Sequence, residues 1–207
     1  MKVYAQFFND NGNEFRLNTL LCFGTSSELI GSIVMLNPGS ATPNDNVADL
    51  EKISNFYKDK KQIDLGNWKF FSSDSTMRQV EKMFNGSYIG KPKELNGVIQ
   101  IFNLFNLKNQ NLNQAIYDLN TIKSRFLFSD DIDFYNKSVY FGFSQAIFRN
   151  DVLYNKAKDI FTKTSKSLKS IYSDNFDDNS FYHPGYINRA YKRENIRNLL
   201  IKFNKSI

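Results

Sequence analysis

Residues 31–41 read Gly-Ser-Ile-Val-Met-Leu-Asn-Pro-Gly-Ser-Ala, an apolar run that ends abruptly at Asn37, Pro38 and Gly39. The run predicts a buried parallel strand over 32–36, and open α/β sheets bind ligands beside the carboxyl ends of such strands. Pro38 cannot donate to a strand ladder, whereas Gly39 allows a sharp turn with a close backbone approach. We therefore expect Asn37 to project its amide into a ligand site.

The composition is that of a globular protein with a core of its own. Of the 207 residues, 41% are hydrophobic and 15% aromatic, which argues against intrinsic disorder. One cysteine and one histidine exclude an internal disulfide and disfavour a metal centre, so we expect neither metal nor cofactor. Without a signal peptide or an apolar run of about 20 residues, we expect a cytoplasmic protein with no membrane partner.

The charge balance is compatible with a polyanionic partner. Lysine and arginine number 27 against 21 acidic residues, a formal net charge of +6. Nucleic acid is the commonest partner of such a chain. An AT-rich genome would encode many of the same lysines without that selection, so the charge gives only modest support for DNA.

The spacing of apolar residues predicts strands that alternate with helices, and therefore a mainly parallel sheet covered on both faces. Strands are predicted over 32–36, 97–105, 138–143 and 168–172, and helices over 47–60, 74–86, 111–126, 145–163 and 189–203, the second of which Asp74-Ser75-Thr76 can cap. Two further strands, over 3–8 and 14–23, flank an Asn-Gly step that is typical of a hairpin. We expect one domain over 1–207: a three-layer α/β sandwich with a central four-stranded sheet, to which residues 1–30 add an N-terminal β-hairpin.

Right-handed crossovers would bring the polar strand ends to one edge of this sheet. Asn37, Asn103, the 142–145 segment and His183 would meet there. Asn103 interrupts an apolar strand, and its amide either recognises a nucleobase edge or simply hydrogen-bonds the backbone. His183 precedes Pro184-Gly185 and either stabilises charge on a leaving group or caps a turn.

Two further groups have both functional and structural interpretations. Phe70 or Phe71 would be the floor on which a planar base stacks, or an ordinary core residue. The basic residues that follow the His183 corner, Arg189, Lys192, Arg193 and Arg197, would clamp a phosphate or form a solvated helix face.

The order of four motifs resembles the uracil-DNA glycosylase superfamily. They are Leu-Asn-Pro-Gly-Ser-Ala at 36–41, Phe-Asn-Leu-Phe at 102–105, Val-Tyr-Phe-Gly-Phe-Ser-Gln-Ala at 139–146 and His-Pro-Gly at 183–185. Within that superfamily the chain is most similar to a bacterial and phage family of unknown function, DUF1643. The resemblance covers roughly residues 31–190.

The resemblance implies a role for each matching residue. Asn37 would orient the attacking water, Asn103 would read the base edge, His183 would stabilise the departing base, and Pro38 and Gly39 would border the base. DNA contacts are expected from Ser40, Ser144, Gln145, Tyr186, Ile187, Arg189, Lys192 and Arg193, with Tyr186 or Ile187 as the wedge that fills the vacated stack. Two departures weaken the match, because Asn37 replaces a carboxylate and the residues after His183-Pro184 differ.

These expectations combine into a DNA glycosylase-like function. The protein would bind a flipped-out uracil, mismatched or modified base and hydrolyse its N-glycosidic bond. The alternative is a non-catalytic module that binds a nucleotide, a modified base or DNA, in conflict between phage and host. The expected partner is single- or double-stranded DNA or a nucleotide, and the expected state is a monomer.

Overall fold

In a computed structural model, which describes residues 1–60, 62–129 and 132–207 and all their side chains except those of 45–47, the chain adopts an α/β fold. Its sheet has seven strands in the order β4-β5-β1-β2-β6-β3-β7. The strands are β1 (Lys2–Asp10), β2 (Asn13–Phe23), β3 (Leu29–Met35), β4 (Pro43–Val47), β5 (Trp68–Phe71), β6 (Gly97–Asn103) and β7 (Val139–Phe141).

The sheet is mixed. Strand β3 runs parallel to β6 and to β7, whereas β1, β2, β4 and β5 pair antiparallel with their neighbours. The α/β class is therefore confirmed, but the prediction of a four-stranded, mainly parallel sheet is wrong. Only β3, β6 and β7, which alternate with helices along the chain as expected, run parallel to one another.

The N-terminal hairpin forms as predicted, but it lies inside the sheet. Asn11 and Gly12 have φ angles of 51° and 77°, as a two-residue hairpin turn with a right-handed strand twist requires. Strand β2 then pairs with β6 through Thr19 opposite Ile101. The hairpin therefore joins the parallel strands to β5 and β4.

The strand predicted over 168–172 is absent, and a tyrosine side chain takes its place at the edge of β7. Residues 168–172 form turns, and the hydroxyl of Tyr172 accepts from Phe141 N at 2.9 Å and donates to Phe141 O at 3.2 Å. One main-chain bond, from Val139 N to Leu168 O at 2.9 Å, completes this edge. These bonds satisfy the edge without a further strand.

Helices cover both faces of the sheet. They are α1 (Leu50–Tyr57), α2 (Ser75–Phe84), α3 (Leu112–Asp118), α4 (Asp151–Lys163), α5 (Pro184–Ala190) and α6 (Glu194–Ser206). Helices α2, α5 and α6 share one apolar core with the sheet, and α1, α3 and α4 pack on the opposite face. The helix predicted over 189–203 is divided between α5 and α6. Within the described residues, no helix is both long and apolar enough to cross a membrane.

Candidate functional site

A cavity of about 130 Å³ lies at the carboxyl ends of β3 and β6, on the face covered by α2 and α5. We call it the strand-end cavity. It is lined by Arg16, Met35, Asn37, Pro38, Gly39, Asp74, Thr76, Met77, Ile101, Asn103 and His183. Five of these residues were predicted from the sequence and come from three separate segments of the chain: Asn37, Pro38, Gly39, Asn103 and His183.

Asn37 reaches the cavity because the parallel ladder stops beside it. Leu104 N donates to Met35 O at 2.9 Å and Phe105 N to Leu36 O at 3.2 Å, after which the chain turns away through Gly39, whose φ is 69°. Asn37 is half-buried, and its Nδ2 donates to Asn109 O over a long 3.4 Å. The amide oxygen of Asn37 thus stays available as an acceptor.

Asn103 is the last residue of β6 and lies opposite Met35 in the parallel register. It is only 3% exposed. Its side-chain amide makes no hydrogen bond to any other residue in the described ranges, and it lines the strand-end cavity. The amide therefore has a donor and an acceptor free for a ligand in the strand-end cavity.

His183 is held at the cavity as the N-cap of α5. Its Nδ1 accepts from Gly185 N at 3.0 Å, which places the ring proton of the neutral imidazole on Nε2. Burial lowers the pKa of His183; the carboxylate of Asp74 opposes that shift and the cation of Arg189 adds to it. At neutral pH the ring is an uncharged hydrogen-bond donor.

The corner that carries His183 is anchored on β7. The hydroxyl of Tyr140 donates to Tyr182 O at 2.9 Å, one residue before the histidine. A Cβ at Gly142 would lie 3.4 Å from Pro184, so the end of β7 packs closely beneath the corner. The predicted 142–145 segment supports His183 in this way, but it does not line the cavity.

Two charged residues of the strand-end cavity escaped the sequence analysis. Asp74 was recognised only as a helix cap, and its Oδ1 does accept from Met77 N at 2.8 Å at the start of α2. Arg16 lies on β2, in the hairpin, and is 4% exposed. A lone arginine in a strand is typical of a solvent-facing position, so no local pattern marks Arg16 as buried.

The two predicted stacking residues do not line the cavity. Phe71 belongs to the core, and its ring centroid lies 5.0 Å from the guanidinium carbon of Arg16. Phe70 points to the opposite face of the sheet, where its ring packs against Tyr4 at 5.8 Å. Methionines and an isoleucine form the apolar walls instead: Met35, Met77 and Ile101.

The predicted DNA-contacting residues occupy different environments. Ser40, Gln145, Arg189, Lys192 and Arg193 are exposed, and Ser144 is half-buried and accepts from Ala146 N at 3.3 Å. Tyr186 stacks on Tyr182 with ring centroids 5.3 Å apart, and its hydroxyl accepts from Arg193. Ile187 is fully buried in the core, which does not fit a residue that contacts DNA, whereas Tyr186 is half-buried.

No group of three or more histidine, cysteine, aspartate or glutamate side chains in the described part of the chain is arranged to hold a metal ion. Comparisons with protein families, curated proteins and solved structures found no match to this chain.

Proposed function

We propose that the strand-end cavity binds a single flipped-out nucleobase, whether uracil, mismatched or modified, and that the protein hydrolyses its N-glycosidic bond. One observation carries the proposal: Asn37, Asn103 and His183 converge on one small cavity with apolar walls. A volume of about 130 Å³ is well below the roughly 300–1,000 Å³ of pockets that hold drug-sized ligands. Such a space suits one planar ring rather than a whole nucleotide.

The polar groups complement a pyrimidine edge. Asn103 offers one donor and one acceptor, which is the combination that an imide edge requires. The Nε2–H of neutral His183 would donate to a ring carbonyl, and the apolar walls would contact the faces of the ring. Recognition of this kind depends on polar groups that have no other partner, and Asn103 meets that condition.

In the proposed reaction the electron pair of the glycosidic bond leaves with the base, and water oxygen forms a bond to the sugar carbon. Asn37 would orient that water through its amide oxygen, and the water proton is released to solvent. His183 would stabilise the negative charge that develops on the base, as preorganised donors do in other active sites. The sugar becomes strongly electrophilic as the bond breaks, so a carboxylate base is less necessary than in acyl transfer.

DNA is the proposed partner because exposed cations lie on the segment that follows the His183 corner. Arg189, Lys192 and Arg193 follow that corner directly and are exposed. Phosphate contacts from such residues would position the strand without reading its sequence. Extruding a base costs a few kcal/mol, least for a mismatched or single-stranded nucleotide.

The experiment uses single- and double-stranded oligonucleotides that contain uracil, a thymine mismatch or a modified pyrimidine, and measures abasic sites by alkaline strand cleavage. Asn37→Ala and His183→Ala should each lower the rate about 100-fold. Asn198→Ala, at an exposed position of α6, is the matched control and should retain the wild-type rate. The absence of abasic product from every substrate would refute the hydrolysis.

A second function is binding of a base or nucleotide without hydrolysis. It is favoured because residue 37 is an asparagine, whose amide cannot act as a general base. Asp74 is the only carboxylate on the described cavity wall, and its Oδ1 already accepts from the backbone. A base-binding or nucleotide-binding module would need no general base. Retained affinity for a free base, with no abasic product from any oligonucleotide, would favour this function over the first.

A further inference from the structure

A second concave surface lies at the other end of β6 from the strand-end cavity. It is a groove of about 450 Å³ between the C-terminal half of α6 and the loop that leads into β6, and we call it the basic groove. Strand β6 begins after this loop, at Gly97, and ends at Asn103 in the strand-end cavity. Its 7 residues span roughly 20 Å. The basic groove is therefore a separate site.

One stripe of α6 forms one side of the basic groove. Arg197, Ile201 and Lys205 follow one another at intervals of four residues, so their side chains lie on the same face of the helix. The other side of the groove comes from the 89–93 loop. The neighbouring stripe of α6 faces the core, where its apolar side chains are buried: Ile196, Leu200 and Phe203.

The loop and the helix are held in place by backbone and side-chain hydrogen bonds. Gly86, at the start of the loop, has a φ of 78°, and its carbonyl accepts from Lys91 N at 3.1 Å. Asn204, on α6, donates from Nδ2 to Met83 O at 2.8 Å and so ties α6 to the end of α2. A ligand would therefore meet a preformed surface, and binding would cost little ordering of the protein.

The cations of the basic groove have no acidic partner. Lys91, Lys93, Arg197 and Lys205 are exposed, and none of them forms an ion pair in the part of the chain that the structure describes. The strand-end cavity and three further cavities each have at least one aspartate on their walls. The described wall of the basic groove has no carboxylate. This local excess of positive charge favours an anionic ligand.

The apolar part of the groove identifies the kind of anion. Ile89 and Ile201 are half-buried and line the groove together with the cations. A phosphodiester backbone has no aliphatic group to cover them, and the described wall has no aromatic ring on which an unpaired base could stack. Carboxylates combined with aliphatic side chains match both parts of the wall, and peptides carry both.

We propose that the basic groove docks a short acidic segment of a partner protein, in which aliphatic side chains are spaced among aspartates or glutamates. Its carboxylates would pair with the four cations, and its aliphatic side chains would pack on Ile89 and Ile201. A second copy of this chain fits less well, because Asp174 and Asp177 of its acidic loop already pair with Lys166 and Lys158. This docking does not depend on the function proposed for the strand-end cavity.

The test measures binding of two fluorescein-labelled peptides by fluorescence anisotropy. In one peptide single leucines alternate with pairs of glutamates; the other has serine in place of each leucine and the same charge. We expect the leucine peptide to bind in the micromolar range and the serine peptide about tenfold more weakly, because only leucine covers the isoleucines. Added salt should weaken both.

Variants locate the binding. Lys93→Glu on the loop and Arg197→Glu on α6 should each weaken the leucine peptide about fivefold. Ile201→Ser should weaken the leucine peptide and leave the serine peptide unchanged. Lys202→Glu reverses an exposed charge of the same helix outside the groove, so this matched control should change the affinity less than about twofold. The comparison of the two peptides on the wild-type protein needs no variant, so it stands even where a variant folds poorly.

Three results would overturn the inference: no binding of the leucine peptide, equal affinity for the two peptides, or equal weakening by Lys202→Glu and Lys93→Glu. An oligonucleotide or phosphatidylserine vesicles that displace the peptide, and whose own binding Lys93→Glu weakens, would assign the groove to nucleic acid or to a membrane surface instead. Each of these results leaves the base-binding function intact. Conversely, absence of abasic product from DNA would leave the docking of the peptide unaffected.

Discussion

Two buried cations, Arg16 and Lys169, differ in how the protein compensates them. They are 4% and 6% exposed, and burial lowers the pKa of both. The ammonium of Lys169 donates to Phe161 O at 2.5 Å and lies 3.9 Å from the centroid of that ring. Phe161 belongs to the last turn of α4, where the helix dipole favours a cation.

Arg16 also contacts one carbonyl and one aromatic ring, those of Pro38 and Phe71, but it does not lie at a helix end. One carbonyl accepts from its Nη2, and two of its nitrogens remain buried without a bond among the described residues. Lys169 therefore joins the 168–172 turns to α4, whereas Arg16 carries a buried charge that is largely unpaired among the described residues and lies beside the strand-end cavity. Buried charge alone does not identify a candidate site, whereas buried charge that lacks partners and lies beside a cavity does.

The largest expected effect is on the free energy of unfolding. Lys169→Met should lower it by about 2 kcal/mol, because a charged hydrogen bond and a favourable dipole interaction are lost. Arg16→Met should change it by less than about 1 kcal/mol, because relief of the burial cost offsets the lost contacts. Urea titration followed by circular dichroism measures both. Equal destabilisation by the two substitutions would make Arg16 a structural cation and end the distinction.

The fold was predictable where local chemistry decides it. The Asn11-Gly12 turn and the Asp74 cap of α2 follow from their own residues, and both form as predicted. The position of the hairpin within the sheet depends on the pairing of β2 with β6, which no local pattern encodes. The turns at 168–172 have strand-like composition, but the hydroxyl of Tyr172 replaces the main-chain pairing.

The candidate site likewise contains residues that the local sequence identifies and one, Arg16, that it does not. Asn37, Asn103 and His183 stand out in the sequence because each interrupts or ends an apolar run, and parallel topology brings strand ends together. Arg16 gives no such signal, because its burial results from the antiparallel register of the hairpin and the cover supplied by α2. Phe70 or Phe71 was expected to stack on a base. Strand β5 directs their side chains to opposite faces of the sheet, and neither lines the cavity.

A smaller effect is expected at the carboxylate that faces Arg16. Asp74→Asn keeps the cap acceptor of α2, because asparagine caps helices as well as aspartate does, but removes the negative charge. Fluorine makes a ring N–H acidic enough that part of 5-fluorouracil is anionic near pH 8, and its affinity there should rise about fivefold because the charge of Asp74 no longer opposes that of Arg16. Asp49→Asn is the control: Asp49 caps α1 through Lys52 N at 3.0 Å and lies outside the cavity. Unchanged or weaker binding in Asp74→Asn would contradict the electrostatic account.

The smallest expected effect is the pH dependence of stability due to His183. Because its pKa is lowered in the folded state, the unfolded chain binds a proton first as the pH falls below about 6.5. The His183 contribution to stability is therefore intact above that pH and is lost as the pH falls through the folded-state pKa. His183→Asn, which keeps a capping side chain, should show a shallower decline in urea midpoint from about pH 7 to about pH 5. Parallel profiles for the two proteins would show that the imidazole is not held in its neutral form.

The central claim is that a base occupies the cavity formed by Asn37, Asn103, His183 and Arg16. His183 is the only histidine of the chain, so its imidazole gives one assignable set of nuclear magnetic resonance signals. Titration of the wild-type protein with 5-fluorouracil near pH 8 should shift those signals saturably, with the ring neutral and protonated on Nε2. Signals that stay unchanged at millimolar 5-fluorouracil would contradict the account.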